Sequence, residues 1–390
     1  MSNELKDLME TSIMPLALPV LRESCVMARL IATDFAADIY ERGQTISVPL
    51  PVDLGFAQDM DTVNGSQSNS LDPTRVNVTL DFWRYKSFDL SDKEMREAVA
   101  EGVLPGAVSS AIRSLANSVD TEIWNLYRSV PSFVGLAGVT PNAKDAIVQA
   151  RKVLQDNLSP PQHRYLMLDT VAEAEYLALW GDVSKGGSID TLEHATLGTK
   201  FGFAVFADQI APTHTFGSFG APGASPKILL SQMGSNLIDI HGGSGTETLR
   251  MGDVILIDGV QKNGLPVPFI VMADYQAAAG VINGVRVYPS LPQTVPLNAN
   301  IKVVAPTAAG PNFYSISMAF QRDAFLYAAR ALGRELSENS EISTAIDPMT
   351  GIPMRLETWR DQNHGRRTWR FDQLFGAKCL RPDLACRLHG

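Results

Sequence analysis

Between residues 75 and 90 the chain alternates with a period of two. In "RVNVTLDFWRYKSFDL", Val76, Val78, Leu80 and Phe82 fall on one face and Asn77, Thr79 and Asp81 on the other, the pattern of a half-buried strand. Thr45-Ile46-Ser47-Val48 begins an earlier strand, and the polar, acidic stretch "DLGFAQDMDTVNGSQSNSLDPT" separates the two. Together they predict a long hairpin over residues 44–90. A hairpin with one apolar face is not stable alone in water, so it needs something to lie on. Before it, residues 1–43 read as an arm: helical pieces broken at Pro15 and Pro19, then "LRESCVMARLIATDFA".

The period then changes. "LSDKEMREAVAEG" predicts a helix opening at a Ser91 or Asp92 cap with acidic residues in its first turn. After Gly102, Pro105 restarts a helix at a position where its missing N–H costs nothing. Leu104, Val108, Ile112, Leu115, Val119, Ile123, Leu126 and Val130 recur at spacings of four and three. That is one apolar stripe over about seven turns, a helix roughly 35–40 Å long at ~1.5 Å per residue. Residues 91–140 are therefore a spine, not a reactive site.

Residues 141–215 alternate helix and strand: "AKDAIVQARKVLQDN", with Ala143, Ile147, Ala150 and Leu154 aligned, then "HRYLMLD", "TVAEAEYLALWG" and "FGFAVFADQ". This is a small α/β unit without the Gly-rich turn that holds a dinucleotide. From 216 to 311 the composition shifts to Gly, Ser and Pro. Six short β-rich runs follow one another there: "PKILLSQ", "SNLIDIHGG", "GDVILIDGV", "PFIVMADY", "GVRVYPSL" and "NIKVVAPT". They predict an inserted β-barrel or sandwich able to fold by itself. Over 312–345 helical grammar returns in "AFQRDAFLYAARALG", and 346–390 read as terminal strands, a hairpin of Ile352 to Arg360 and Arg367 to Leu374 around "DQNHG".

Composition narrows the functional classes. With 390 residues, 45% of them hydrophobic, the chain exceeds one uniform core. Its net charge of −9 argues against a general grip on nucleic acid, which needs a basic face. Cys25, Cys379 and Cys386 are too few and too scattered for a disulfide framework or a zinc site, so a reducing compartment is expected. "IMPLALPVL" carries two prolines and is far shorter than the ~20 apolar residues of a membrane span, so a chain made without export is expected.

Candidate chemistry is thin. "HGGSG" at His241 to Gly245 has the look of an oxyanion loop, but no G-x-S-x-G accompanies it, and Ser218 in "TFGSFG" has Phe216 where the first glycine belongs; a turn between β-strands fits better. His163, His194, His214, His241, His364 and His389 show no ligand spacing. Asp53, Asp59 and Asp61 lack the order of a calcium loop and read as a solvated tip. No nucleophile, base and anion hole assemble, and no enzyme activity, cofactor or metal is expected.

The order of segments is more informative than any motif. "VNVTLDFWRYKSFDLSDKEM" leading into the spine, "ARKVLQDNLSPPQHRYLMLDTVAEAEYL" with "GTKFGFAVFADQIAPT", "FYSISMAFQRDAFLYAARAL", and the finish "IPMRLETWRDQNHGRRTWRFDQLFGAKCLRPDLACRL" together resemble the major capsid proteins of tailed bacteriophages. That fold is shared with herpesvirus capsid floors and encapsulins. The insertion, with "LRMGDVILIDGV", is similar to the β-barrel insertion of some short-tailed phage coat proteins.

The resemblance implies an α+β fold: an N-terminal arm (1–43), an extended E-loop hairpin (44–90), a peripheral domain built on the spine (91–140), an axial α/β domain (141–215 and 312–345) interrupted by the barrel (216–311), and terminal strands (346–390). It implies a protein that self-assembles into hexamers and pentamers of an icosahedral head around double-stranded DNA, without specific DNA binding. Its partners would be further copies of itself, a separate scaffolding protein, a portal protein and, as an optional addition, a decoration protein, with no membrane. The head would assemble in the host bacterial cytoplasm and end in the virion. Trp83, Arg84, Arg355, Arg360, Arg367 and Arg370 are the candidate inter-subunit contacts, the arginines meeting carboxylates across subunit seams while Trp369 and Phe371 pack on the spine. Some shells of this family lock with a Lys–Asn bond whose lysine lies on the hairpin; here no lysine occurs between Arg42 and Arg84, so a non-covalent shell is expected. The alternatives are an encapsulin-like shell, or a hydrolase or carbohydrate-binding tail protein built on the β insertion.

Overall fold

The computed structural model describes residues 14–49, 75–91, 93–94, 103–182, 189–221, 224–243, 245–262, 264–306, 312–332, 340–347, 352–361 and 364–390. Two compact units divide the chain. The first takes Met1–Ser24, Thr33–Ala116 and Tyr327–Lys378; the second takes Cys25–Ala32, Asn117–Leu326 and Cys379–Gly390.

A helix, α1 (Met14–Ser24), occupies the arm. The expected breaks do not occur: Pro15 sits in the first turn, where no hydrogen bond is lost, and Pro19 lies inside. Burial of Ala17 and Leu21 on one face holds the helix across the bond that Pro19 cannot make. Beyond Ser24 the helical reading is corrected. Met27–Arg29 form one 3-10 turn, and β1 (Ala32–Tyr40) is a strand. Joining a sheet gives this segment a hydrogen-bonded ladder, which outweighs local helix propensity.

β2 (Thr45–Pro49) pairs antiparallel with β3 (Arg75–Thr79), Thr45 opposite Thr79 and Pro49 opposite Arg75. Val78 and Leu80 are buried, as the alternation requires. The acidic tip, 50–74, lies outside the described residues, and with it Asp53, Asp59 and Asp61. β4 (Phe82–Ser91) follows, ending in the expected cap. The Glu94 N–H donates to Ser91 Oγ (3.3 Å), and the Ser91 N–H donates back to Glu94 Oε2 (2.9 Å), a capping box that holds the Glu94 carboxyl below its usual range. Most of the helix it would open, 95–102, also lies outside the described residues.

The spine helix α2 (Val103–Trp124) spans 22 residues, about 33 Å. Val108, Ile112, Leu115, Val119 and Ile123 of the predicted stripe are buried. The last turn tightens to a 3-10 helix over Asn125–Ser129, which rotates the face; Tyr127, rather than the predicted Leu126, is the buried side chain there.

In the second unit, β5 (Phe133–Val134), α3 (Lys144–Asp156), β6 (Arg164–Leu168), α4 (Thr170–Trp180), α5 (Ile189–His194), β7 (Thr199–Lys200), β8 (Phe203–Ala207) and β9 (Thr213–Thr215) realise the predicted α/β alternation. Parallel pairing of β6 and β8 puts both helices on one core with Ile147, Ala150, Leu154, Leu166, Tyr176, Trp180 and Phe203. The six expected β runs are all strands: β10 (Lys227–Ser231), β11 (Leu237–His241), β13 (Val254–Lys262), β14 (Leu265–Val271), β16 (Val281–Tyr288) and β17 (Ile301–Val303), with two-residue β12 (Thr248–Leu249) and β15 (Tyr275–Gln276) between them. Their order is β10-β11-β16-β14-β13-β17. The two ends of that order meet: Ile228 N–H donates to Ala299 O and Ile301 N–H to Pro226 O, both at 2.9 Å. Ile228, Ile240, Ile255, Phe269, Val271 and Val285 fill the interior.

The helical expectation for "AFQRDAFLYAARALG" is overturned. β18 (Phe313–Gln321) and β19 (Phe325–Leu332) are strands joined by a 3-10 turn at Arg322–Ala324. Nearly every residue of β19 is buried, Arg330 included, so neither face meets water and the period of two is erased from the sequence. β20 (Ser340–Ile346), β21 (Pro353–Asp361) and β22 (Arg366–Cys379) complete the first unit's sheet, β1-β19-β22-β21-β20 with β4 also on β22. A 3-10 turn at Pro382–Leu384 leads to β23 (Ala385–His389). It enters the second unit's sheet, β5-β23-β18-β6-β8-β7, between β18 and β5.

Candidate functional site

The terminal hairpin forms as expected, Arg360 opposite Arg367 and Asp361 opposite Arg366. What the sequence did not foretell is that β4 lies along the other side of β22, from Phe82 opposite Phe375 to Ser91 opposite Arg366. Alternate residues share a face. One face of this three-strand segment therefore carries Arg366, Thr368, Arg370 and Asp372 from β22, Arg355, Glu357 and Trp359 from β21, and Tyr85, Ser87 and Asp89 from β4. The other face carries Trp369 and Phe371, both fully buried, with Phe371 stacked on Phe88 at 6.5 Å between centroids.

The charges on the first face alternate in sign. Arg355 donates from Nε to Asp372 Oδ1 (2.8 Å) and from Nη2 to Asp372 Oδ2 (2.7 Å), a bidentate pair with Asp372 fully buried. Arg370 pairs with Glu357 and stands 3.4 Å from Asp372 Oδ2. Trp83 flanks Arg355 and Trp359 flanks Arg370, each ring centroid under 6 Å from the guanidinium carbon. At the far end Arg366 reaches Asp89 (3.1 Å) in solvent. Of the candidate contact residues, the fold brings Trp83, Arg355 and Arg370 into this one network and gives both arginines carboxylates of their own chain. Arg84, Arg360 and Arg367 fall on the opposite side of their strands, Arg84 and Arg360 exposed and Arg367 half-buried.

A second polar cluster, in the second unit, escaped the sequence reading. His214 and Asp253 are 39 residues apart, yet His214 Nε2 lies 2.9 Å from Asp253 Oδ1 and its Nδ1 lies 3.0 Å from the Tyr127 hydroxyl. Asp253 Oδ2 also accepts the N–H of Gly217 (3.1 Å) and of Arg250 (2.7 Å). Arg387, fully buried, donates from Nη1 to Gly252 O (2.8 Å) and lies over the Tyr127 ring, while His389 stacks on Phe133. Burial holds His214 below the ordinary histidine range despite Asp253, and holds His389 well below it; burial also pushes Arg387 down to about 10. An Asp–His–Tyr chain has the connectivity of a general-base relay, but Tyr127, His214 and Asp253 are at most 2% exposed, so no substrate reaches them. The cluster instead ties the spine, β9, the insertion and β23 to one another. Nothing in the spacing of six scattered histidines signals this, because each partner comes from a distant segment.

A third buried group is Asp120 on α2, which accepts the N–H of Val26 (2.7 Å) and of Ala28 (3.3 Å) and so fastens the turn at Met27–Arg29. Burial, helped by the neighbouring Asp208 charge, pushes its carboxyl up to about 7.

The remaining candidates resolve into structure. Ser218 opens a 3-10 turn and accepts the Thr248 N–H, and Glu247 accepts the Gly245 N–H beside His241 to Gly243. Among the described residues no three His, Cys, Asp or Glu side chains are grouped to hold a metal ion, and no helix is long and apolar enough to cross a membrane. The three cysteines are free thiols, and burial pushes Cys379 and Cys386 up to about 12.

No family model and no curated protein matches the chain. Solved structures do show a likeness. The chain is similar to a structure from Mycobacterium phage Che8, at 12% identity over 93% of this chain and 90% of that one with a TM-score of 0.43. It is similar to the capsid structure of the Cyanophage P-SCSP1u, at 10% identity over 94% and 88% with a TM-score of 0.44. The asymmetric unit of the bacteriophage PhiM1 mature capsid gives 8% identity over 93% and 86%, again with a TM-score of 0.44.

Proposed function

We propose that this chain is the major capsid protein of a tailed bacteriophage. The observation that carries the reading is the order and pairing of its elements: β2 and β3 as a hairpin base, the long spine helix, a parallel-stranded α/β unit, an inserted β segment, and late strands that return to both sheets.

In this reading residues 44–90 are the E-loop, whose last strand β4 runs into the β22-β21 sheet; the α2 spine and that sheet belong to the peripheral domain, and the α/β unit is the axial domain. The bonds that join β10 to the segment before β17 support an insertion closed as a small barrel. The mechanism is assembly. Copies repeat one set of contacts into hexamers and pentamers and close a head around DNA that the acidic chain contains without gripping. Exposed Trp83, Arg84 and Arg360, with half-buried Arg367, are the side chains of this sheet offered to a neighbour. A separate scaffolding protein sets shell size and a portal protein occupies one vertex.

Electron microscopy and sedimentation of the purified chain test the proposal. Shells, or aberrant shell-like particles when the chain is expressed alone, are expected. A discrete small oligomer at every concentration overturns it in favour of a hydrolase or tail protein. Uniform shells filled with an enzyme cargo point instead to an encapsulin-like container.

A further inference from the structure

Arg387 and His389 alternate along β23 with Cys386 and Leu388, so the two sets take opposite faces of the second unit's sheet. Cys386 and Leu388 join the core beneath α3 and α4. On the other face, Arg387 pairs with Met318 and His389 with Ile316 of β18. Tyr314 shares that face of β18 and stands opposite His214 of β9. The rings of Tyr314 and His389 lie 4.8 Å apart between centroids, and Phe133 stacks on His389 at 5.0 Å. Tyr314, Arg387 and His389 are all buried.

This cluster is rich in hydrogen-bond donors and short of acceptors. Arg387 donates from Nη1 to Gly252 O, but its Nε and Nη2 have no hydrogen-bond partner among the described residues. The Tyr314 hydroxyl and both ring nitrogens of His389 have none either. Nor does a carboxylate stand at ion-pair distance from the guanidinium. Asp253, whose charge Arg387 feels, already uses Oδ1 on His214 and Oδ2 on the N–H groups of Gly217 and Arg250. A fully buried cation without a counter-ion is among the costliest arrangements in a protein interior.

We propose that Arg387, Tyr314 and His389 bind a small monovalent anion of chloride size, which pairs with the guanidinium and accepts the unshared N–H and O–H bonds. Water fits this set less well. It leaves the charge uncompensated, and it brings two protons of its own to a guanidinium that has no acceptor to offer. Burial of the whole cluster excludes a bulky anion such as gluconate. The bound anion fastens β23 to β18 and to the insertion at Gly252, and so stabilises the strand that fills the sheet between β18 and β5. The site belongs to a single chain and does not depend on the capsid reading.

Bromide, a halide that anomalous X-ray scattering locates, probes the site directly. In crystals of the full chain grown in sodium bromide, an anomalous peak should stand within hydrogen-bond reach of Arg387 Nη2 and Tyr314 Oη. In solution, replacing gluconate by chloride at constant ionic strength should raise Tm progressively, because the anion binds the folded chain alone. Tyr314→Phe deletes one donor, keeps the ring packing, and should shift that rise to about tenfold higher chloride. Arg387→Met should abolish it; if that variant does not fold, the crystal and Tyr314→Phe decide. The absence of an anomalous peak at that position would overturn the proposal and leave the cluster to water. A peak with a chloride-independent Tm would mark an adventitious ion only, and a chloride rise that Tyr314→Phe leaves unchanged would place the effect elsewhere; either result overturns the site.

Discussion

Arg355 and Asp372 face each other across β21 and β22 and close a two-pronged ion pair in the buried part of the sheet. The pair is the tightest contact of each: Asp372 is fully buried with Arg370 farther off at 3.4 Å, and Arg355, flanked by Trp83, has Glu357 at 3.9 Å. Removing one partner leaves the other charge in the interior with only a longer, weaker ionic contact. Asp372→Ala should therefore cost about 3–5 kcal/mol, while the double change Arg355→Met with Asp372→Leu should recover much of that loss. Thermal and urea unfolding of the three variants decide the matter; equal losses in the single and double variants would refute the pairing as the source.

Asp120 makes stability depend on pH in the less common direction for a carboxylate. Burial raises it to about 7 in the fold, against ~3.9 for an unfolded aspartate, so the folded chain holds the proton more tightly. Its contribution is complete below about pH 4 and is lost as pH rises through about 7, by at most about 4 kcal/mol at 1.36 kcal/mol per unit. Wild type should lose stability between pH 5 and 8 through this group, and Asp120→Asn should flatten that interval. An unchanged pH profile in Asp120→Asn would show that the carboxylate is not responsible.

Asp253 receives three hydrogen bonds in the second unit's polar cluster. Asp253→Ala leaves two backbone N–H groups and His214 without an acceptor, each buried orphan costing about 1–3 kcal/mol. The insertion should then loosen from its anchors, seen as faster proteolysis within 216–311 and lower soluble yield. Proteolysis at the wild-type rate would mean that the strands alone hold the segment.

Gly376 sits where β22 passes β3, and a Cβ there would collide with the Thr79 carbonyl oxygen. Gly376→Ala should push the hairpin base off the sheet and break the Lys378 Nζ bond to Asn77 O. Poor shell assembly from a chain that retains its far-ultraviolet spectrum is expected. A variant that assembles normally would show that the hairpin base tolerates displacement.

In the proposed shell, copies should be held without covalent links. Lys86, the lysine nearest in sequence to the hairpin strands, lies in β4 opposite Phe371, inside the ladder rather than at the tip. Particles boiled in detergent should release a single monomer band, and a ladder of covalent oligomers would contradict this.

Where one face of an element meets water, the sequence announces it. The alternation of Val76, Val78 and Leu80, the stripe of α2 and the six strand runs of the insertion are legible for that reason. β19 is illegible for the opposite reason: "FLYAARAL" is buried on both sides and carries no period. β1 takes its conformation from a sheet partner far along the chain, and local pattern does not encode such partners. The same holds for the two charge networks. Arg355 and Asp372 look like ordinary surface residues until strand register sets them opposite one another. Tyr127, His214, Asp253 and Arg387 come from four separate segments, and only the folded chain makes them neighbours.

β23 lies between β18 and β5, with Arg387, Leu388 and His389 buried, so the second unit's sheet is completed by a strand synthesised after all of its other strands. β6, β8 and β18 all leave the ribosome earlier and must wait with open edges for that strand. Such long-range closure folds slowly and exposes unpaired edges meanwhile. The consequence is that a chain lacking β23 is marked by its own open sheet. A copy that stops before Ala385 cannot close the sheet and stays a client for chaperones and proteases.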